Sequence, residues 1–165
     1  MQKRKPSLFA IVRRGVEAGL IASVPQVIVP KIEEKLFLPH HEDADLGPRL
    51  IAALAKKVEK PLPEDVKWLA AASFHFGYAA FWGAAYGVVQ QRVKTHPLAG
   101  GLTMALLIYL ITFPPWGGAV VTGSEDPPRK RTWRKEVVLA SAPLLFGLGT
   151  ALLFGRGAKS YDEWD

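Results

Sequence analysis

The sequence predicts an all-α membrane protein, a polytopic bundle of four transmembrane helices with one short amphipathic helix on its surface. Three observations carry this. The stretches from Trp68 to Val89, Pro97 to Gly123 and Val137 to Gly155 contain no Asp, Glu, Lys or Arg. About 20 mainly apolar residues cross a hydrocarbon core of about 30 Å, so each stretch is long enough to span. The 21 Lys and Arg and the 15 Asp and Glu of this 165-residue chain gather at the ends of these stretches and in the loops, leaving no soluble body large enough to bury three apolar helices. Finally, Lys67-Trp68 and Trp133, set among Arg129, Lys130, Arg131, Arg134 and Lys135, give the basic and aromatic mixture expected at headgroup level. The length suits a single membrane domain over residues 1–165.

The first span, 8–30, carries Arg13, Arg14 and Glu17 before a clean run from Ala18 to Pro30. If it enters the hydrocarbon near Ile11 it reaches Pro30 with both arginines close enough to the surface to snorkel. The alternative is an interfacial or re-entrant first segment with three true crossings. The basic tail from Met1 to Pro6 lacks a following cleavage site, so it is expected to remain and to anchor the cytoplasmic face, although the loop Lys and Arg favour the opposite orientation.

The connection from Lys31 to Lys67 is too long for a turn. Asp45 and Gly47-Pro48 announce a helix in which Leu50, Ile51, Leu54 and Val58 share one side while Arg49, Lys56, Lys57 and Glu59 take the other. This predicts an interfacial helix over 48–58, ended by Pro61 and Pro63. Glu64-Asp65 suit the first turn of the next helix by complementing its dipole. The second span, 68–89, and the third, 97–113, are joined by the short hinge Gln90 to His96, which makes them antiparallel neighbours. Pro114-Pro115 ends the third span, and the fourth runs over 137–155.

Helices in lipid associate through small residues and a few hydrogen bonds. Gly15 and Gly19 form one GxxxG pair, Gly83 and Gly87 another, and Gly100-Gly101, Gly147 and Gly149 add smooth surface. These pairs are expected to pack helices within the chain, with homodimerisation as the alternative. Pro25 and Pro143 free the carbonyls of Ile21 and Leu139, for repair by a neighbour or for use as a hinge. Ser73, Tyr78, Tyr86, Thr103, Tyr109 and Ser141 are expected to hydrogen-bond between helices.

Several functions are excluded or left without machinery. With no cysteine there is no disulfide scaffold, thiolate metal site or thiol nucleophile. The net charge of +6 forms no basic stripe with interleaved aromatics, so nucleic acid is not an expected partner; anionic lipid is. No G-x-S-x-G elbow, H-E-x-x-H pair, P-loop or dinucleotide fingerprint occurs, so no enzyme activity is expected.

Four polar groups could act inside the membrane. Glu17 lies three and four residues after Arg14 and Arg13, which suits a local ion pair; the sharper alternative is a carboxylate facing the bundle that binds protons or cations. His75 could ligate haem or chlorophyll or bond a quinone. A second haem ligand is wanting, since His96 is about 31 Å away along an unbroken helix, so the expectation is a histidine bonded to another helix and no cofactor. His40, His41 and Asp43, with Glu42 and Asp45, offer nitrogen and oxygen ligands in one loop and form the candidate metal site, against the plainer reading of a solvated acidic run.

Certain of these residues form a pattern that resembles the bacterial inner-membrane family typified by YagU: Gly15-x3-Gly19-x2-Ala22-x2-Pro25, Pro48-Arg49, His75-x2-Tyr78 with Gly83 and Gly87, and Trp133-Arg134-x-Glu136. The resemblance covers about Gly15 to Gly155. It implies a multi-pass helical protein of the bacterial inner membrane with no established catalysis. Two functions then compete: a non-enzymatic structural or interaction protein, such as an accessory subunit of a larger membrane complex, and a small transporter or proton-handling protein centred on Glu17 and His75.

Overall fold

The computed structural model describes residues 6–39, 46–57, 59 and 62–162. Among the described residues there is helix and turn but no strand. Helix α1, Leu8–Phe37, starts where the Ser7 hydroxyl accepts the Ala10 N–H at 3.2 Å, satisfying one of the first-turn donors that have no partner within the helix. Helix α2 is Leu46–Lys57. Helix α3, Glu64–Val93, opens after Pro63 with Glu64 and Asp65 in its first turn and closes at Lys94, a left-handed residue whose N–H bonds the Gln90 carbonyl. Helix α4, Pro97–Thr112, places Pro97 at its first position, where no N–H is needed. A one-turn helix α5, Gly118–Thr122, precedes the long α6, Trp133–Asp162.

The four long helices form an antiparallel arc in the order α3, α1, α6, α4. A Cβ on Gly15 would meet the Gly83 carbonyl, and one on Gly19 the Ala79 carbonyl, so α1 and α3 approach backbone to backbone over these residues. On its other side α1 meets α6, where a Cβ on Gly149 would touch Ala22 and Ser141 donates to Glu33 at 2.5 Å. Helices α6 and α4 close in the same way at Gly147 and Gly101. Absent side chains permit this approach, and the gain is dispersion spread over many atom pairs. Both GxxxG pairs are therefore used within the chain: Gly15 and Gly19 face Gly83, while Gly87 packs on the Ile11 carbonyl and the Phe154 ring.

Small residues line the helix seams, Ile108, Leu139 and Phe146 fill the core beside them, and many large apolar residues stand outward. Ala18, Ala22, Ala79, Ala105 and Ala151 are buried, whereas Leu69, Phe81, Leu106 and Leu144 stand outward, at 70, 63, 57 and 41% exposure. Every long helix carries such an outer apolar face. Two helices, α1 and α6 over Trp133–Arg156, are long and apolar enough to cross a membrane.

Of the four expected spans, α1 and α6 alone are long and apolar enough by themselves among the described residues; α3 dilutes its apolar run with Ser73, His75, Tyr78 and glycines, and α4, with 16 residues, reaches about 24 Å. Three other expectations need correction. The first helix does not stop at Pro30 but runs on to Phe37; Lys31 lies 5.7 Å from the Trp68 ring and Glu33 bonds Ser141, so contacts with α3 and α6 hold the last two turns. The amphipathic helix starts at Leu46, and Val58 lies outside the described residues. The basic loop before α6 does not present all its cations to headgroups, for the side chains of Arg131 and Lys135 turn inward at 0 and 9% exposure.

Candidate functional site

The inward turn of that loop begins in the sequence. Pro114-Pro115 cannot extend α4, so Phe113 caps it, and α5 follows after a turn in which the Gly117 N–H bonds the Pro114 carbonyl at 2.7 Å. Gly123 takes φ +80°, open to a residue without a Cβ, and ends α5. The reversed chain donates the N–H groups of Ser124 and Glu125 to the Ala119 carbonyl, each at 3.0 Å, and delivers the Glu125 side chain into the protein at 0% exposure.

A bare buried carboxylate is costly, and this one is surrounded by donors. Arg49 of α2 donates to Glu125 Oε2 at 2.6 Å; Lys135 Nζ and the Asp126 N–H each donate to Oε1 at 2.9 Å. Arg131 lies 3.9 Å from the same carboxylate and spends its own donors on the Asp126 carbonyl, the Phe113 carbonyl at 2.8 Å and Glu136 at 2.9 Å. Tyr109 of α4 extends the network by donating to Glu136 at 2.9 Å. Burial pushes the Glu125 carboxyl up, but Lys135 and Arg49 outweigh it and hold the group below the usual carboxylate range. Three cations bracket two carboxylates and tie α2, α4 and α6 into one end of the bundle.

Beside this network lies a cavity of about 420 Å³, within the range of small-molecule sites. Its walls come from one stripe of α1 (Gln26, Val27, Pro30) and one face of α3 (Phe74, His75, Tyr78), with Ile108 of α4 and Leu139 and Pro143 of α6. Leu46, Leu50 and Leu54 of α2 roof it. That roof is fastened by the Arg49–Glu125 pair and by Lys57 Nζ, which donates to the Val121 carbonyl at 3.2 Å.

The residues singled out in the sequence do not form one site. His75 lines the cavity. Glu17 stands on the outer face of α1, 3.5 Å from Arg13, with both side chains more than half exposed. Arg14 turns the other way, donates to the Phe154 carbonyl and lies 4.4 Å over the Phe154 ring. His96 caps α4 at the end of the bundle away from the cavity, accepting the Leu98 N–H. The candidate ligands His40, His41 and Asp43 lie outside the described residues, among which no group of three or more His, Asp or Glu is placed to hold a metal ion. Tyr109 and Ser141 bond between helices, whereas Ser73 and Thr103 are exposed.

Sequence reasoning missed Glu125 and the inward roles of Arg49, Arg131 and Lys135. One signal was available: Glu125-Asp126 are the sole acids between Lys94 and Lys135, directly before a loop of cations. Compared with protein families, curated proteins and solved structures, the chain matches none.

Proposed function

We propose that this chain is a non-enzymatic, multi-pass protein of the bacterial inner membrane, with α1, α3, α4 and α6 as its four spans and a structural or interaction role as an accessory subunit of a larger complex. The outward apolar face on every long helix carries the proposal. A water-soluble monomer keeps its large exposed apolar patches to a few hundred Å², whereas here leucines, phenylalanines and valines stand outward on every long helix, around a core that mixes alanines with Ile108, Leu139 and Phe146. Such an exterior suits a lipid solvent. In this reading α4, about 24 Å long, spans with less length than the other three, and the chain then turns back at Pro114 to lay Gly117 and α5 against its last turn. Trp116 and Trp133, 71 and 72% exposed, mark the headgroup level at the α2 end. The YagU-like motifs support the same assignment.

The buried ions support a structural role, because each charge of the Glu125 network is spent on another element of the fold. The transporter alternative loses its centre, since Glu17 faces outward and away from the His75 cavity. Membranes expressing the chain, washed with alkaline carbonate and then solubilised in mild detergent, test both halves. Retention through the wash, followed by stoichiometric co-purification of other membrane subunits, is expected. Release by carbonate refutes the membrane assignment, and a lone protein that acidifies proteoliposomes refutes the accessory role.

A further inference from the structure

Helices α3 and α4 leave their hairpin in contact, with Tyr86 against Gly100, but they diverge toward the α2 end, where the cavity occupies the gap. Helices α1 and α6 form its back wall and α2 its roof. The front is lined by Phe74 and Ile111, 46 and 53% exposed, so the cavity opens sideways through the same apolar surface that faces lipid in the proposed function. Val27, Leu50, Ile108 and Leu139 make the walls largely apolar.

Polar side chains stand among those apolar walls. The Gln26 amide and the Tyr78 hydroxyl line the cavity and hydrogen-bond no described residue, while the His75 imidazole lies one turn from Tyr78 on the same face of α3. Gln26 sits between the Gly19–Ala79 and Lys31–Trp68 contacts, which brings it to about the level of His75. An amide N–H and a phenol O–H both donate, and a donor in an apolar enclosure is costly unless an acceptor reaches it.

We propose that this cleft binds a membrane-borne amphiphile whose apolar body fills the cavity and whose carbonyl oxygen accepts hydrogen bonds from Tyr78 and Gln26. Two bilayer components present that chemistry, an isoprenoid quinone and a fatty acid. The inference rests on the membrane assignment for the source of the ligand. It is tested independently of that assignment, since carbonate extraction reads the one and a binding isotherm the other.

The full chain, in lipid nanodiscs, is titrated calorimetrically with decylubiquinone, with palmitic acid and with dodecane, which lacks the carbonyl. Saturable binding of the quinone or of the acid, with dodecane at least about tenfold weaker, is expected, and which of the two binds identifies the source. Tyr78→Phe and Gln26→Leu each weaken that binding about fivefold, by removal of one hydrogen bond. Ala142→Phe, which fills the cavity from α6, abolishes it. The proposal is overturned if neither carbonyl ligand saturates, if dodecane binds as tightly, or if folded Ala142→Phe and Tyr78→Phe both bind like the parent.

Discussion

One methyl group placed at two positions of α3 separates close helix packing from helix propensity. At Gly83 an added Cβ would sit 2.2 Å from the Gly15 carbonyl oxygen and 3.0 Å from the Gly19 Cα, both of them backbone atoms that no rotamer change can move. Helices α1 and α3 must then part by about 1 Å, which forfeits a quarter to a half of each close contact along the seam. Overpacking of this kind costs about 1–3 kcal/mol, and the rigid neighbours argue for the upper half of that range. The helix-forming gain from glycine to alanine, about 0.5–1 kcal/mol, offsets part of it. At Gly77, two turns earlier, an added Cβ meets nothing within 4 Å, so the gain stands alone. Gly83→Ala should therefore be about 2–3 kcal/mol less stable than Gly77→Ala, with the parent between them. Unfolding by sodium dodecyl sulfate in dodecylmaltoside micelles, followed by loss of far-ultraviolet helix signal, reads the difference as a shift in midpoint mole fraction. Coincident midpoints for the two variants, or a higher midpoint for Gly83→Ala, would mean that α1 and α3 do not meet at Gly15 and Gly83.

The Glu125 network makes the next claims. Glu125→Ala strands the buried Lys135 side chain and takes the carboxylate from Arg49, while Arg131 keeps Glu136, and the same titration should show a loss of about 3 kcal/mol. Because the folded Glu125 carboxyl is held low, its stabilisation is complete above the unfolded value of about 4.3 and disappears as pH falls through the folded value. Acid midpoints for the parent should thus drop below about pH 4, and Glu125→Gln should remove the part of that drop due to this group; identical pH profiles would contradict the burial. Arg49→Met frees one end of the α2 roof, so limited trypsin digestion should cut at Lys56 and Lys57 faster than in the parent, while an unchanged rate would show the Arg49–Glu125 tie to be idle. Glu17→Gln removes an exposed pair only, and its midpoint should stay within about 0.5 kcal/mol of the parent's; a large loss would place Glu17 in the bundle.

Local chemistry was legible from the residues one after another. Uncharged stretches of bilayer length, Pro114-Pro115 as a stop, Pro97 as a start and the alternation of Leu50, Ile51 and Leu54 with Arg49 and Lys56 all act within a few turns of backbone. An all-helical chain follows from them. The glycine pairs also announced close packing, because a residue without a side chain permits the nearest backbone approach. What the linear chain could not decide is direction. A charge in a loop reads the same whether it meets water, a headgroup or another helix, and only the reversal at Gly123 turns Glu125 inward to collect Arg49 from 76 residues away. Likewise Glu17 and Arg14, three residues apart on α1, send their side chains to different surroundings, Glu17 outward beside Arg13 and Arg14 onto Phe154 of α6, because α6 packs against one edge of that face. The cleft beside His75 exists because α3 and α4 diverge from a shared hairpin, a property of two axes that no single segment encodes. Sequence set which stretches are helical and which residues allow contact; the tertiary structure set which polar groups are enclosed, since enclosure is a relation among elements distant in the chain.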